Sequence, residues 1–280
     1  MEAISALEHG LAPTAAVLDR AFSDYFVNLP ASSASLLSMV RHDSVDLAAS
    51  RVWFCGGQAA GVLLHAQRGW SGRLAAMGVT PEARRRGLGA KMVTAWLDDC
   101  RARGIHELTL EVIGTNTAAR RLYEMLGFST TQRLAGWRKL PTQIAKTGTP
   151  RNAEPVEIDP RALARFVAAQ DPAGTLPWQI AAETLAQFGR PWTAWQLATA
   201  AVLVSDIAAP VITVRALGWH GAQTDLAQTA ELLRALAALH PAHTWRAPAI
   251  FPETWAAAFT NSGWEPDTID QWQMALSLRR

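Results

Sequence analysis

Cysteine is scarce in this chain: of 280 residues, only Cys55 and Cys100 carry a thiol. There is no Cys-x-x-Cys pair and no clustered cysteine–histidine framework, so nothing points to structural zinc or to a secreted disulfide scaffold, and a reducing cytoplasm fits. Charge of one sign is equally short. Lys and Arg number 26 against 24 Asp and Glu, and the net +2 is too small to suggest a nucleic-acid or membrane-surface partner. The basic run Arg84-Arg85-Arg86 is a local patch. Nowhere do about 18 apolar residues follow one another, and Met1-Glu2-Ala3 opens no basic-then-apolar leader. The expectation is a soluble, cytoplasmic protein, monomer or homodimer. His240-Pro241-Ala242-His243 lacks further clustered ligands and reads as surface, so no metal is expected.

What is present is apolar substance. Hydrophobic residues make up 49% and charged residues 18%, the balance of a compact globular protein, and the length suits two domains. Arg51 to Phe54 and Ala59 to Ala66 are short β-permissive runs around Gly56-Gly57, which reads as a hairpin. A third strand covers Arg73 to Val79 and stops at Thr80-Pro81. From Leu88, the residues Met92, Val93, Trp96, Leu97 and Cys100 recur at helical spacing, with Gly104 as the C-terminal cap. Glu107 to Ile113 alternates like a strand, and Asn116 opens a helix striped by Ala119, Leu122, Tyr123 and Leu126 and ended by Gly127. This alternation implies a mixed α/β sheet.

Pro141 to Pro155 has three prolines and little apolar periodicity, and marks a linker. It divides the chain into a domain over 1–140, a linker over 141–155 and a second domain over 156–280. Past the linker, Trp195 to Val204 and Pro210 to Val214 look like strands, Leu226 to Leu239 like a helix, and Trp255 to Phe259 lies in another. Leu122-Tyr123-Glu124-Met125-Leu126-Gly127-Phe128 parallels Ala258-Phe259-Thr260-Asn261-Ser262-Gly263-Trp264 at a constant offset, which suggests duplication.

The most informative segment runs from Gly78 to Lys91: a strand, a turn with arginines and closely spaced glycines, then a helix. Glycines let the backbone approach a phosphate, while free N–H groups and the positive end of the helix face it. The P-loop and the dinucleotide fingerprint both fail on spacing. Arg84-Arg85-Arg86-Gly87-Leu88-Gly89, after a Val-x-Pro strand end, resembles the R-x-x-G-x-G pyrophosphate loop of the GNAT acetyltransferase superfamily. Asn116-Thr117-Ala118-Ala119-Arg120-Arg121-Leu122-Tyr123-Glu124-Met125-Leu126-Gly127-Phe128 is similar to its second signature, N-x-x-A-x-x-L-Y-x-x-x-G-F. Both fall in the right order, and the match covers roughly residues 50 to 130.

The resemblance implies two GNAT-like acyl-CoA N-acyltransferase domains in tandem, the first taking acetyl-CoA as acetyl donor and transferring acetyl directly to a primary amine, of a small molecule or of a protein N-terminus or lysine. The strands ending at Val79 and beginning at Glu107 should splay apart, leaving backbone groups of Met77, Gly78 and Val79 for the pantetheine arm. The N–H groups of Arg84, Arg85, Arg86, Gly87, Leu88, Gly89 and Ala90 would hold the pyrophosphate, with Asn116 and Ala119 beside the arm. Tyr123 would give a proton or hydrogen bond to the departing thiolate. For Asn116, a capping role stands equally open.

The general base is less legible, because Arg73 to Val79 carries no acid; Glu111 and His65, near strand ends, are the candidates. Asp24, Tyr25 and Phe26 are weaker ones for the acceptor side. The second half replaces the tyrosine with Phe259 and lacks the arginine–glycine loop around Leu217 to Gly221, which reads as a degenerate domain. The alternative reading is a non-catalytic CoA-binding or regulatory protein that keeps the fold.

Overall fold

The computed structural model describes residues 2–26, 30–141, 154–221 and 224–279. In chain order the elements are β1 (Glu2–Ser5), α1 (Ala6–His9), α2 (Leu11–Ala21), α3 (Ser33–Asp43), β2 (Val45–Cys55), β3 (Gln58–Arg68), β4 (Ser71–Val79), α4 (Leu88–Ala102), β5 (Glu107–Ile113), α5 (Thr117–Met125) and β6 (Ser129–Lys139). Then follow β7 (Val156–Ile158), α6 (Pro160–Gln170), α7 (Ala182–Leu185), β8 (Thr193–Leu197), β9 (Ala200–Val204), β10 (Val211–Trp219), α8 (Leu226–Leu239), β11 (Thr244–Pro252), α9 (Ala256–Thr260) and β12 (Glu265–Ser277). Two compact units form, one of Met1–Thr131 with Trp272–Arg280 and one of Gln132–Gln271. This division differs from one drawn at the linker. Of that linker, residues 142–153 lie outside the described residues.

In the first unit the strand order is β1-β2-β3-β4-β5-β12-β6. Strands β1 to β4 pair antiparallel, and β4 with β5 parallel. The β2–β3 hairpin turns on Gly56 and Gly57, at φ 58 and 77°, the left-handed pair that a tight hairpin requires. Helix α4 crosses between the parallel strands and buries Leu88, Met92, Val93, Trp96, Leu97 and Cys100, the stripe read from the sequence. The core they enter also takes Leu63, Leu74, Leu108, Leu110, Tyr123 and Phe128. It is completed from the far end of the chain: Met274 is fully buried in it, and Trp272 and Leu276 pack against it.

The second unit has the order β7-β8-β9-β10-β11-β6, matching β1-β2-β3-β4-β5-β12 of the first position by position. The sequence run Trp195 to Val204 is two strands, not one, because the chain reverses at Ala198, at φ 49°. The repeated heptad has one geometry in both places. Phe128 N–H donates to Tyr123 O (3.0 Å) and Trp264 N–H to Phe259 O (3.1 Å), after glycines at φ 95 and 76°. That correspondence carries the duplication.

Deleting Met274 beyond Cβ leaves a cavity in the first unit, so Met274→Ala is expected to cost about 2–5 kcal/mol in urea unfolding. A chain ended at Gln271 lacks the part of β12 that belongs to the first unit and is expected to lose that unit's cooperative thermal transition.

Candidate functional site

The site begins with an extra residue. Across β3 and β4, Leu64 faces Ala76 and His65 faces Leu74, so Ala75 is unpaired and bulges. A bulge bends its strand and steepens the local twist. On the other side of β4 the parallel ladder with β5 runs Ser71–Glu107, Gly72–Leu108, Arg73–Thr109, Leu74–Leu110, and there it ends. Both strands go on, β4 to Val79 and β5 to Ile113. They part as a fork. Thr80 N–H donates back to Ala60 O at 2.9 Å, and alternation along a strand therefore turns Val79 N–H, and Met77 N–H before it, toward the gap.

Beyond the strand end the chain makes a short helical turn at Pro81–Ala83 and a loop with Arg85 at φ 60° and Gly87 at φ 74°. A left-handed arginine is costly, and the alternation aims successive N–H groups to one side, the concavity that receives an anion. Helix α4 then starts with no side-chain cap. Its first intrahelical bond is Lys91 N–H to Gly87 O, 3.2 Å, so the N–H groups of Leu88, Gly89 and Ala90 precede it with no intrahelical acceptor. The Leu88 side chain is buried in the core and anchors this end. A Cβ on Gly89 would meet Met77 Cε at 3.5 Å and Leu122 Cδ2 at 3.6 Å, which brings α4, β4 and α5 together at the fork.

The structure gives several of the residues singled out in the sequence a bonding or packing role of their own. The Arg84 guanidinium does not face the loop's concavity: it grips Asp24 with two bonds (2.6 and 2.7 Å), Val79 O (3.0 Å) and Ala21 O (3.0 Å), and its own N–H goes to Pro81 O (3.4 Å). Arg84 shapes the loop. Gly78 is explained by packing, because a Cβ there would lie 2.6 Å from Ala21 Cβ and 3.1 Å from Phe22. Asn116 is the N-cap of α5: its Oδ1 accepts from Ala119 N–H at 3.2 Å, which commits Ala119's backbone donor. Asp24, Tyr25 and Phe26 lie in the turn after α2, with Asp24 held by Arg84.

His65 is a core residue. Its Nδ1 accepts from the Trp96 indole N–H at 3.0 Å, and burial, the largest influence, lowers its pKa. It leaves the list of bases. Glu111 stands one residue past the last β4–β5 rung, its side chain buried and bound through Oε2 to Arg73 Nη2 (2.7 Å) and Nε (2.8 Å). Tyr123 is 6% exposed, edge-on to Phe128 at 6.0 Å. Burial first, then Tyr25, raise its pKa above the ordinary tyrosine value, so its phenol stays protonated. No hydrogen bond to its hydroxyl is present among the described residues. Cys100 is buried, and burial pushes its thiol up to about 12, far from nucleophilic.

The second unit has the fork without the cradle. β10 and β11 pair over Val211–Thr244 to Thr213–Arg246 and then part. Helix α8, however, carries its own carboxylate at its N-terminus: Asp225 accepts from Gln228 N–H (2.9 Å) and Thr199 Oγ1 (3.1 Å). Trp219 at the end of β10 is buried, its indole bonding Asp225 O and Thr229 Oγ1 at 2.7 Å. Phe259 holds the tyrosine's place, stacked on Trp137 at 4.2 Å.

Residues 18–128, most of the first unit, match the acetyltransferase (GNAT) family, a family that uses acetyl-CoA. Over 95 residues, 34% of this chain, it is 36% identical to mycothiol acetyltransferase of Beutenbergia cavernae, covering 29% of that protein. Over 51 residues, 18% of the chain, it is 45% identical to the ribosomal protein bS18-alanine N-acetyltransferase of Salmonella typhimurium, covering 34% of it. The chain spans less than a third of the length of the mycothiol acetyltransferases it matches. A tandem GNAT protein from the clavulanic acid biosynthesis pathway superposes with TM-score 0.63 over all of this chain and 99% of its own, at 16% identity, and the shared property is the fold of two GNAT-like domains. Among the described residues, no helix is long and apolar enough to cross a membrane.

Because burial lowers the His65 pKa, the folded state favours the neutral ring. That stabilisation is present above the unfolded value of about 6.5 and is lost as pH falls through the folded one. Unfolding free energy should drop on acidification below about pH 6.5, and less steeply in His65→Gln. Equal slopes would assign the acid sensitivity to other groups.

Proposed function

We propose that the first unit binds acetyl-CoA and transfers its acetyl group to a primary amine, and that the second unit binds no cofactor. One observation carries this reading: the fork of β4 and β5 opens beside an uncapped helix end whose approach is wound left-handed at Arg85 and Gly87. Donors without internal partners, a positive helix end and an open strand edge suit a pyrophosphate followed by an amide-bearing arm. Acetyl-CoA, when bound, supplies an acetyl group activated as a thioester.

The chain's own groups divide the work. The N–H groups of Arg85 to Ala90 bind and orient the phosphates, with the exposed Arg85 and Arg86 side chains adding positive charge. The Met77 and Val79 N–H groups offer hydrogen bonds at the strand edge, the Val79 donor suited to stabilise developing negative charge on an oxygen. Tyr123 keeps its proton at Oη, since burial raises its pKa, and can offer a hydrogen bond to a leaving thiolate. Of the two sequence candidates for collecting the amine's proton, Glu111 is the one at the fork. The buried Cys100 thiol gives no support to a covalent acyl-enzyme. In the second unit, Asp225 sets a negative charge where the phosphates would lie, and Phe259 has no proton to give.

Calorimetric titration with acetyl-CoA is expected to give one site per chain in the wild type and none in Gly87→Glu, where φ 74° disfavours any side chain and the new charge opposes phosphate. Two sites would overturn the reading of the second unit; no binding by the wild type would sink the acetyltransferase reading. The named relatives divide between mycothiol and a protein alanine, so acetyl-CoA consumption should be followed with small amines and with a peptide beginning in alanine. Tyr123→Phe removes a hydroxyl with no hydrogen-bond partner among the described residues and is expected to leave the thermal midpoint unchanged. Turnover should fall about 10²-fold, with acetyl-CoA affinity retained; undiminished turnover would remove Tyr123 from the chemistry.

A further inference from the structure

A buried ion pair stands at the vertex of the fork. Arg73 sits one residue before the last β4–β5 rung, Leu74–Leu110, and Glu111 one residue after it. Arg73 faces Thr109 across the ladder, so Glu111, two residues on, lies on the same face. Both donors of the tie, Nη2 and Nε, meet one oxygen, Oε2, and the two side chains are 6% and 2% exposed. On β3, Ala66 lies opposite Arg73. His65 belongs to the other face, turned to Trp96.

Stability alone does not account for this pair. Taking two charges out of water costs so much that well-packed apolar residues of similar volume commonly serve as well or better; the best-attested use of such a pair is to specify an arrangement. The arrangement here is the place where two strands stop pairing. Past Leu74, the bulged Ala75 shifts β4, and past Leu110, nothing in the ladder holds β5. The guanidinium reaches diagonally over that last rung, so the ladder can neither fray below it nor close above it without breaking the tie.

We propose that Arg73 and Glu111 are a positioning pair that fixes where the fork opens, and so where the acyl-bearing arm of acetyl-CoA is seated; this rests on the acetyl-CoA reading of the first unit. The pair lies away from the loop of Arg84 to Gly87, so it acts on the arm and not on the nucleotide end. The two ends of the ligand can be read separately.

The test compares calorimetric affinities for acetyl-CoA and for 3′-phospho-ADP, which has the phosphates but no arm, in the wild type and in the double variant Arg73→Met/Glu111→Leu, which leaves no buried charge unpaired. The double variant is expected to keep the wild-type thermal midpoint, to bind 3′-phospho-ADP within about twofold of the wild type, and to bind acetyl-CoA at least about tenfold more weakly. Acetyl-CoA affinity within about twofold of the wild type, or parallel weakening of both ligands, would overturn the proposal while leaving the acetyltransferase reading intact. A wild type that binds neither ligand sinks that reading, and the proposal with it. Should the apolar pair not fold, Arg73→Lys carries the same comparison, since it keeps the charge but not the double donation to Oε2.

Discussion

Strands β4 and β5 stop pairing after four rungs, and the chemistry open to the first unit follows from that. A continuous ladder would satisfy its own donors and acceptors and offer a ligand nothing. Once the strands part, the N–H groups of Met77 and Val79 face the gap, and a ligand arm carrying amides can complete a pairing that the protein leaves open. The ladder's end coincides with a local irregularity: Ala75, one residue too many against β3, directly follows the last β4–β5 rung. Downstream, Arg84 holds the strand end in its new direction by gripping Val79 O, Ala21 O and Asp24.

The two units show how little separates a frame from a site. Both diverge after a short parallel ladder, both send a helix from the end of the central strand, and both close a later helix with a glycine and an aromatic. They differ in what meets the positive end of that helix. In the first unit it is left uncapped behind a left-handed loop. In the second, Asp225 caps it, and Trp219 fills the strand end. Capping stabilises a helix by about 1 kcal/mol, so the first unit forgoes a small gain that the second takes.

Much of this was legible in the sequence because periodicity and turn chemistry are local. Gly56-Gly57 marked its hairpin, the stripe from Leu88 to Cys100 its helix, and Glu107 to Ile113 its strand. What escaped was non-local. No residue type announces Ala75 as a bulge, since the extra residue exists only relative to β3. Nothing local shows that the Arg84 guanidinium is held by Asp24, 60 residues earlier. The break at Ala198 hides inside an unbroken apolar run, and the strand from Glu265 that completes the first core lies in the half of the sequence assigned to the second domain.

The polarity of the site's proton chemistry follows from burial. A phenol held away from water, with a second tyrosine near, has its pKa raised, and at any physiological pH it can give a hydrogen bond or a proton but cannot take one. Whatever collects the proton of an attacking amine must therefore be another group. Of the candidates, Glu111 stands at the vertex, its Oε2 held by Arg73 Nη2 and Nε. That contact fixes where the carboxyl sits beside the gap, so the shape of the fork and the placement of Glu111 rest on one guanidinium.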